Sequence, residues 1–341
     1  MMSRILVTGG TGYIGSHTVV ELMQSGYEVV IIDNLSNSDI GVLDGIEAIT
    51  GKRPEFVQAD LRDREATFGL FRKYTDLKAI IHFAAFKAVG ESVMKPLDYY
   101  QNNLNSLIHL IEAMNQFRVD HMVFSSSCTV YGEPDTLPVA ENAPVKKATS
   151  PYGNTKQIAE EILQDVLIPS PDLRFISLRY FNPVGAHPSA QIGELPLGVP
   201  NNLVPFITQT AIGLRDELKV FGDDYSTPDG SAIRDYINVV DLARAHVVAI
   251  ERMLGGKQKK AFEIFNLGTG KGVSVFEVIA SFERAAGVKL KYRVVGRREG
   301  DVEKVYADPH FANNELGWKA EKSLDETLLS AWNWEKKIRN K

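Results

Sequence analysis

Tyr152-Gly-Asn-Thr-Lys156 spaces a phenol and an amine four residues apart, which puts both on one face of a helix. A lysine held there keeps a cation beside the phenol and lowers its pKa from the ordinary value of about 10. Such a phenolate can take a proton from an alcohol. The spacing alone says little, because Tyr74 and Lys78 share it. Their surroundings separate the two pairs. Ser150-Pro151 ahead of Tyr152 reads as a helix start. Upstream, Ser125-Ser126-Ser127 closes an apolar run, where a hydroxyl would face a ligand over the carboxyl edge of a sheet. Tyr74 has no such serine cluster upstream.

A second constellation lies near the N-terminus. Thr8-Gly9-Gly10-Thr11-Gly12-Tyr13-Ile14-Gly15 contains both Gly10-x-Gly12-x-x-Gly15 and Gly9-x-x-Gly12-x-x-Gly15. Glycines there permit a tight turn and let the backbone approach a pyrophosphate, which then sits at the positive end of the following helix. Asp33 follows Gly15 by 18 residues, near the position where an acid accepts ribose hydroxyls and repels a 2′-phosphate. The expected cofactor is therefore NAD rather than NADP.

The elements that must position these groups alternate. Apolar, β-branched runs at Ile5–Thr8, Glu28–Asp33, Glu55–Asp60, Ala79–Ala84, Met122–Ser126 and Phe175–Arg179 read as strands. Ile14–Ser25, Arg64–Tyr74, Leu97–Phe117 and Tyr152–Leu167 read as helices. The pattern predicts an α/β fold, a doubly wound parallel Rossmann-type sheet covered on both faces. From about Tyr180 the chain becomes loop-rich. The expected division is a dinucleotide-binding domain over 1–180 and a smaller α/β substrate-binding domain over 181–341. Ile237–Val240 and Phe262–Leu267 read as strands that could rejoin the first sheet.

Composition excludes several classes. The 341 residues are 44% hydrophobic and 24% charged, with a net charge of -5. That is enough apolar material for a sizeable core and too little positive charge for a general nucleic-acid binder or a polybasic membrane anchor. No apolar run approaches the roughly 20 residues of a membrane span. After Arg4 the apolar stretch is only Ile5-Leu6-Val7, shorter than a secretory core of about 7–15 residues. With one cysteine, an intracellular, cytoplasmic enzyme is expected. His82 and His187 read as structural, Cys128 as a small packed residue, and no metal is expected.

These motifs carry a resemblance that runs nearly end to end. The chain resembles the extended short-chain dehydrogenase/reductase family and, within it, the UDP-glucose 4-epimerases. Its carriers are Val7–His17, Asp33-Asn34-Leu35, His82–Ala85 with Lys87, Ser125–Gly132, and Ser150–Gly153 with Lys156. Further carriers are Leu178–Pro188, Pro200–Leu203, Arg234–Ile237 and Arg297–Asp301. Asn182–Pro188 and Arg234–Ile237 together mark nucleotide-sugar enzymes. The resemblance implies that Tyr152 takes the sugar 4-hydroxyl proton, that Lys156 depresses its pKa and binds the nicotinamide ribose, and that Ser127 holds the 4-oxygen. It implies NAD contacts at Gly9, Gly12, Tyr13, Ile14, Asp33, Asn34, Asp60, Leu61, Phe83, Ala84, Lys87, Asn102 and Tyr180, besides Tyr152 and Lys156. UDP-hexose contacts would come from Lys87, Ser127, Tyr152, Phe181, Asn182, Asn202, Leu203, Phe221, Arg234, Arg298, Asp301 and Val305. It also implies a homodimer built on the helices near Leu97–Phe117 and Tyr152–Leu167.

The implied reaction removes hydride from C4 and returns it to the other face of a 4-keto sugar, so net redox is zero. One rival is a 4,6-dehydratase or decarboxylase of the same fold. Dehydratases carry an acidic pair just after the fifth strand, and here Ser127-Cys128 stands there. The other is a non-catalytic NAD-sensing protein; such relatives tend to lose the tyrosine kept here. In this family, the position four residues after Asp301, Val305, lines the hexose pocket. A small residue there implies room for a 2-acetamido group, unless a one-residue shift brings Tyr306 in.

Overall fold

The computed structural model describes residues 3–298 and 302–339. Its first half runs β1 (Arg4–Thr8), α1 (Tyr13–Gln24), β2 (Glu28–Asp33), α2 (Val42–Thr50), β3 (Glu55–Gln58), α3 (Arg64–Lys73), β4 (Leu77–His82), α4 (Val89–Met94), α5 (Pro96–Phe117), β5 (His121–Ser127), α6 (Pro151–Asp165) and β6 (Arg174–Tyr180). The second half adds β7 (Asn182–Val184), α7 (Leu203–Ala211), β8 (Leu218–Phe221), β9 (Ile233–Arg234), β10 (Tyr236–Asn238), α8 (Val239–Leu254), β11 (Phe262–Leu267), β12 (Val273–Ser274), α9 (Val275–Ala286), β13 (Tyr292–Val295), β14 (Lys304–Val305) and α10 (Leu324–Arg339).

Seven strands form one parallel sheet in the order β11-β6-β5-β4-β1-β2-β3. The order reverses between β1 and β4, so the chain winds outward in both directions and opens a crevice over the strands' carboxyl ends. Each face has its own core. Ile5, Val7, Ile31 and Ile81 pack under α1 and α8, while Leu6, Val30, Ile80 and Phe124 pack with residues of α3, α5 and α6. Residues 1–180 thus supply six strands, and β11 adds the seventh from beyond residue 181.

Local chemistry sets the helix starts that matter. Ser150 caps α6 by accepting the Gly153 N–H at 3.1 Å, with Pro151 at the first helical position. Asn238 accepts the Val240 N–H at 2.8 Å and starts α8. That cap ends the strand expected to reach Val240 at Asn238. The strand pairs with β7 rather than with the main sheet. Strand β4 stops at His82, which releases Phe83 and Ala84 into the loop over the crevice.

Candidate active site

The glycine loop is shaped by close backbone approach. Gly9 has φ +68°, and a Cβ on it would lie 2.8 Å from the Ala84 nitrogen. A Cβ on Gly15 would lie 2.2 Å from the Gly9 carbonyl oxygen. Gly12 is the N-cap of α1 without a side-chain cap, and no acid lies in the first turn. The positive end of the helix is therefore not neutralised by the protein's own charges. Tyr13 donates its hydroxyl to the Gly185 carbonyl at 2.7 Å, and Ile14 packs on the core beneath.

Asp33 stands beside this loop. It accepts N–H donors from Thr11 at 3.3 Å and Leu35 at 2.9 Å, and the Ser38 hydroxyl at 3.2 Å. Asn34 donates to Asp60 at 3.1 Å. The Arg62 side chain holds the Asp60 carboxyl down at about 2. Leu61 is buried, and its carbonyl accepts from His109 at 2.9 Å.

Phe83 and Ala84 are tied back to β1. Phe83 donates to the Thr8 carbonyl at 3.1 Å and Ala84 to the Thr8 hydroxyl at 3.2 Å. The Phe83 ring lies 4.7 Å from that of His246. Burial pulls His246 down to about 4. Its Nδ1–H must donate to the Leu242 carbonyl at 2.9 Å, so its bare Nε2 accepts the Tyr180 hydroxyl at 2.7 Å. Asn102 is buried and donates to Asn103 at 3.0 Å. Asn103 in turn accepts the Phe86 N–H at 2.8 Å and donates to Thr155 on α6 at 3.0 Å.

Ser127 ends β5, opposite Tyr180 on β6. Tyr152 begins α6 near it. Burial pushes the Tyr152 phenol up to about 12, and a hydrogen bond with Ser127 pulls in the other direction. Lys156, 4% exposed, donates to the Ser125 carbonyl at 2.5 Å and sits 4.8 Å from the Phe124 ring. Burial lowers it to about 8, against the attraction of Glu160. The shared helix face brings the amine to the right layer, but its bond goes to a carbonyl, and desolvation dominates the phenol.

On the other side of the crevice, Lys87 and Asn202 converge on one oxygen of Glu194, at 3.8 and 2.7 Å. Asn202 precedes Leu203, the first residue of α7. Phe221 ends β8 and is exposed, with the Arg298 guanidinium 5.6 Å from its ring. Arg234 donates to the Ile233 carbonyl at 2.8 Å and stands opposite Val305 in the β9–β14 pair. It also acts electrostatically on Cys128, the residue after Ser127. Val305 packs with Phe181, Tyr131 and Val130, while the Tyr306 ring lies beside Gly272. Asn182 donates its N–H to the Asp235 carbonyl at 2.9 Å. Asp301 lies outside the described residues. Among the described residues no cluster of three metal-ligating side chains occurs.

Sequence reading passed over Asn103, Glu160, Glu194 and His246, and quoted Asp235 within Arg234–Ile237 without giving it a role. Asp235 is fully buried and accepts from Thr269 N, Thr269 Oγ1, Gly270 N and Ala307 N. The sequence held a clue for Glu160, as a charge following Tyr152 and Lys156 at the same four-residue step, and for Asp235, by its place beside Arg234.

Taken together, the cradle, the acid at the end of β2 and the buried edge of β5 and β6 fit a dinucleotide lying across the switch point.

The sequence profile of the GDP-mannose 4,6-dehydratase family matches residues 6–330. A UDP-glucose 4-epimerase of Bacillus subtilis (strain 168) is 51% identical over 97% of this chain and 96% of its own. The solved structure of a UDP-glucose 4-epimerase from Stenotrophomonas maltophila, with bound NAD and formylated UDP-arabinopyranose, is 48% identical. It superposes with a TM-score of 0.95 over 100% of this chain and 99% of that one. A UDP-glucose 4-epimerase from Bifidobacterium longum in complex with NAD+ and UDP is 46% identical, with a TM-score of 0.95 over 99% of each chain.

Proposed function

We propose a function from a plain premise: this chain belongs to the UDP-glucose 4-epimerases. It is an NAD-dependent isomerase that interconverts UDP-glucose and UDP-galactose by transient oxidation at C4. The observation that carries this reading is the meeting of Ser127, Tyr152 and Lys156 at the sheet edge, beside a glycine cradle in which a Cβ on Gly9 or Gly15 would strike backbone.

NAD would be held by Gly9, Gly12, Tyr13 and Ile14 at the pyrophosphate and by Asp33, Asn34, Asp60 and Leu61 at the adenosine end. Phe83, Ala84, Lys87, Asn102, Tyr152, Lys156 and Tyr180 would hold the nicotinamide half. When bound, it takes a hydride from C4 and gives it back, and its positive charge adds to that of Lys156 in favouring the phenolate. Tyr152 removes the 4-hydroxyl proton and returns it to the 4-oxygen. Ser127 donates to that oxygen. Lys156 opposes the cost of a buried phenolate. Arg234 and Arg298 suit bidentate diphosphate recognition; Asn182, Asn202, Leu203, Phe221 and Asp301 complete the nucleotide side. Binding energy placed on the nucleotide leaves the hexose free to present either face.

Three finer readings go with this. The small Val305 side chain, clustered with Phe181 and opposite Arg234, and Tyr306 beside Gly272 support acceptance of UDP-N-acetylhexosamines as well. Exposed Leu97 and Ile108 on α5 support a homodimer through α5 and α6. A substrate domain over 181–341 that lends Phe262–Leu267 back to the first sheet, and a cytoplasmic role in galactose metabolism, complete the proposal. The test is conversion of UDP-galactose by the purified protein, with Tyr152→Phe beside it. The variant should lose about 10²–10⁴ in turnover and keep its NAD. Near-wild-type epimerisation by the variant would remove Tyr152 from the chemistry. A dehydrated 4-keto product would turn the assignment to a dehydratase.

A further inference from the structure

We propose that Glu160 is a positioning residue of the reaction: paired with Arg179, it locks α6 against the two strands that carry the site and keeps a negative charge one helical turn from Lys156. The proposal rests on the reading of Tyr152 and Lys156 as the reacting pair.

Glu160 follows Lys156 by four residues and Tyr152 by eight, so the three lie along one stripe of α6. It is 4% exposed. Its carboxylate accepts the Ser126 hydroxyl at 2.6 Å, the Ser177 hydroxyl at 2.7 Å, and Arg179 at 3.1 Å through Nε and 2.5 Å through Nη2. Ser126 pairs with Arg179 in the sheet, and the next pair is Ser127 with Tyr180. One turn back, Lys156 is fixed to the Ser125 carbonyl. Helix α6 is therefore pinned to consecutive residues of β5 immediately before Ser127.

Stability does not ask for a charge at this place. Apolar residues of similar volume hold a helix on a sheet as well as a buried ion pair, or better. The pair bears the cost of taking both charges out of water, since the two side chains are only 4% and 5% exposed; the Tyr131 ring, 4.7 Å from the guanidinium, offsets part of it. What the charge does reach is Lys156. Around that amine lie the Phe124 ring and Ser125 carbonyl of β5, neutral His82 of β4 and Glu160 of α6, with Tyr152 one turn back on the same helix and the Ser126–Arg179 and Ser127–Tyr180 pairs next along the strands. Among these described groups Glu160 alone is anionic. A buried ammonium without it would lose its proton more readily, and the phenol would lose the cation that favours its ionised form.

The test uses holoenzyme variants E160Q, E160D and E160Q/R179M on UDP-galactose over about pH 6 to 10. In E160Q the alkaline limb of kcat, where Lys156 deprotonates, should move down by about one to two pH units. Tightly bound NAD and the KM for UDP-galactose should stay as in wild type. E160D should bring the limb most of the way back. E160Q/R179M strands no charge, so it folds where E160Q does not, and it must also show a lowered limb. A wild-type limb in E160Q, or in the double variant where E160Q does not fold, overturns the proposal whatever stability is lost. Tyr152→Phe is run alongside. Undiminished turnover by that variant overturns the reading of the reacting pair, and this proposal with it; loss in Y152F with a wild-type limb in E160Q overturns this proposal alone.

Discussion

Replacing Gly15 by alanine probes the cofactor cradle with one methyl group. That methyl would lie 2.2 Å from the Gly9 carbonyl oxygen and 2.9 Å from the Gly10 Cα. Heavy atoms in contact need about 3.5 Å, so the loop must retreat by about 1 Å. Both neighbours are backbone, and no rotamer change relieves them. The Gly9 oxygen also accepts the Gly12 N–H at 3.1 Å, a bond the retreat would weaken. Overpacking costs about 1–3 kcal/mol and the hydrogen bond about 1 kcal/mol, or roughly 2–4 kcal/mol together. At about 2 °C per kcal/mol for a chain of this size, Tm should fall by about 4–8 °C. The same retreat spoils the pyrophosphate seat, so the purified variant should carry little NAD. Gly69→Ala is the control. It sits in α3 with nothing within 4 Å of the new methyl, and should stabilise by about 0.5–1 kcal/mol. Calorimetry and NAD released per chain on denaturation give both readouts. Wild-type NAD content and Tm in Gly15→Ala would refute the cradle.

Three more outcomes are expected. Burial holds His17 and His82 at about 3 and His246 at about 4, below the unfolded value of about 6.5. The unfolded chain therefore binds more protons between those limits, and stability falls as pH drops below about 6.5. Three such groups lose about 4 kcal/mol by about pH 5.5. Urea titrations at about pH 8 and about pH 5.5 measure it, and a flat profile would contradict the buried neutral rings. Val305→Tyr should abolish turnover of UDP-N-acetylglucosamine and spare UDP-galactose; inactivity of the wild type on the acetylated sugar would end that idea. Light scattering at micromolar concentration should give a dimer, and a monomer would refute the α5/α6 interface.

What could be read from the chain was local. The glycine spacing specifies a turn, a close approach and a helix start within eight residues, so the cradle was visible before any tertiary contact. The cap at Ser150 and the serines ending β5 were visible for the same reason. Helix α2 was not, because Gly41 and Gly45 interrupt its pattern, and Gly45 is there for contact with Gln191 and Ile192 far along the chain. Asp235, Glu194 and His246 take their roles from partners that folding brings together; His246 and Tyr180 are 66 residues apart. The four-residue step from Tyr152 to Lys156 gave the shared face correctly. It could not say that the amine's bond would go to the Ser125 carbonyl.

That last difference bears on how the edge of β5 works. Burial moves the phenol up to about 12 and the amine down to about 8. Each shift disfavours charge, and together they favour the uncharged pair over the phenolate and ammonium that proton abstraction needs. On the proposed assignment of Tyr152 as base, the burial that would exclude water from a keto sugar works against the ionised form of that base. The described residues oppose this at two points. Ser127 hydrogen-bonds the phenol from the strand end, and Glu160 attracts the ammonium from the next turn of the helix. Both depend on the seating of α6 on β5, which the Ser126, Ser177 and Arg179 bonds to Glu160 enforce. The polar cluster beneath the helix costs stability that an apolar one would not. What the cluster holds in place is the helix whose small rotation would separate Tyr152, Ser127 and Lys156 at once.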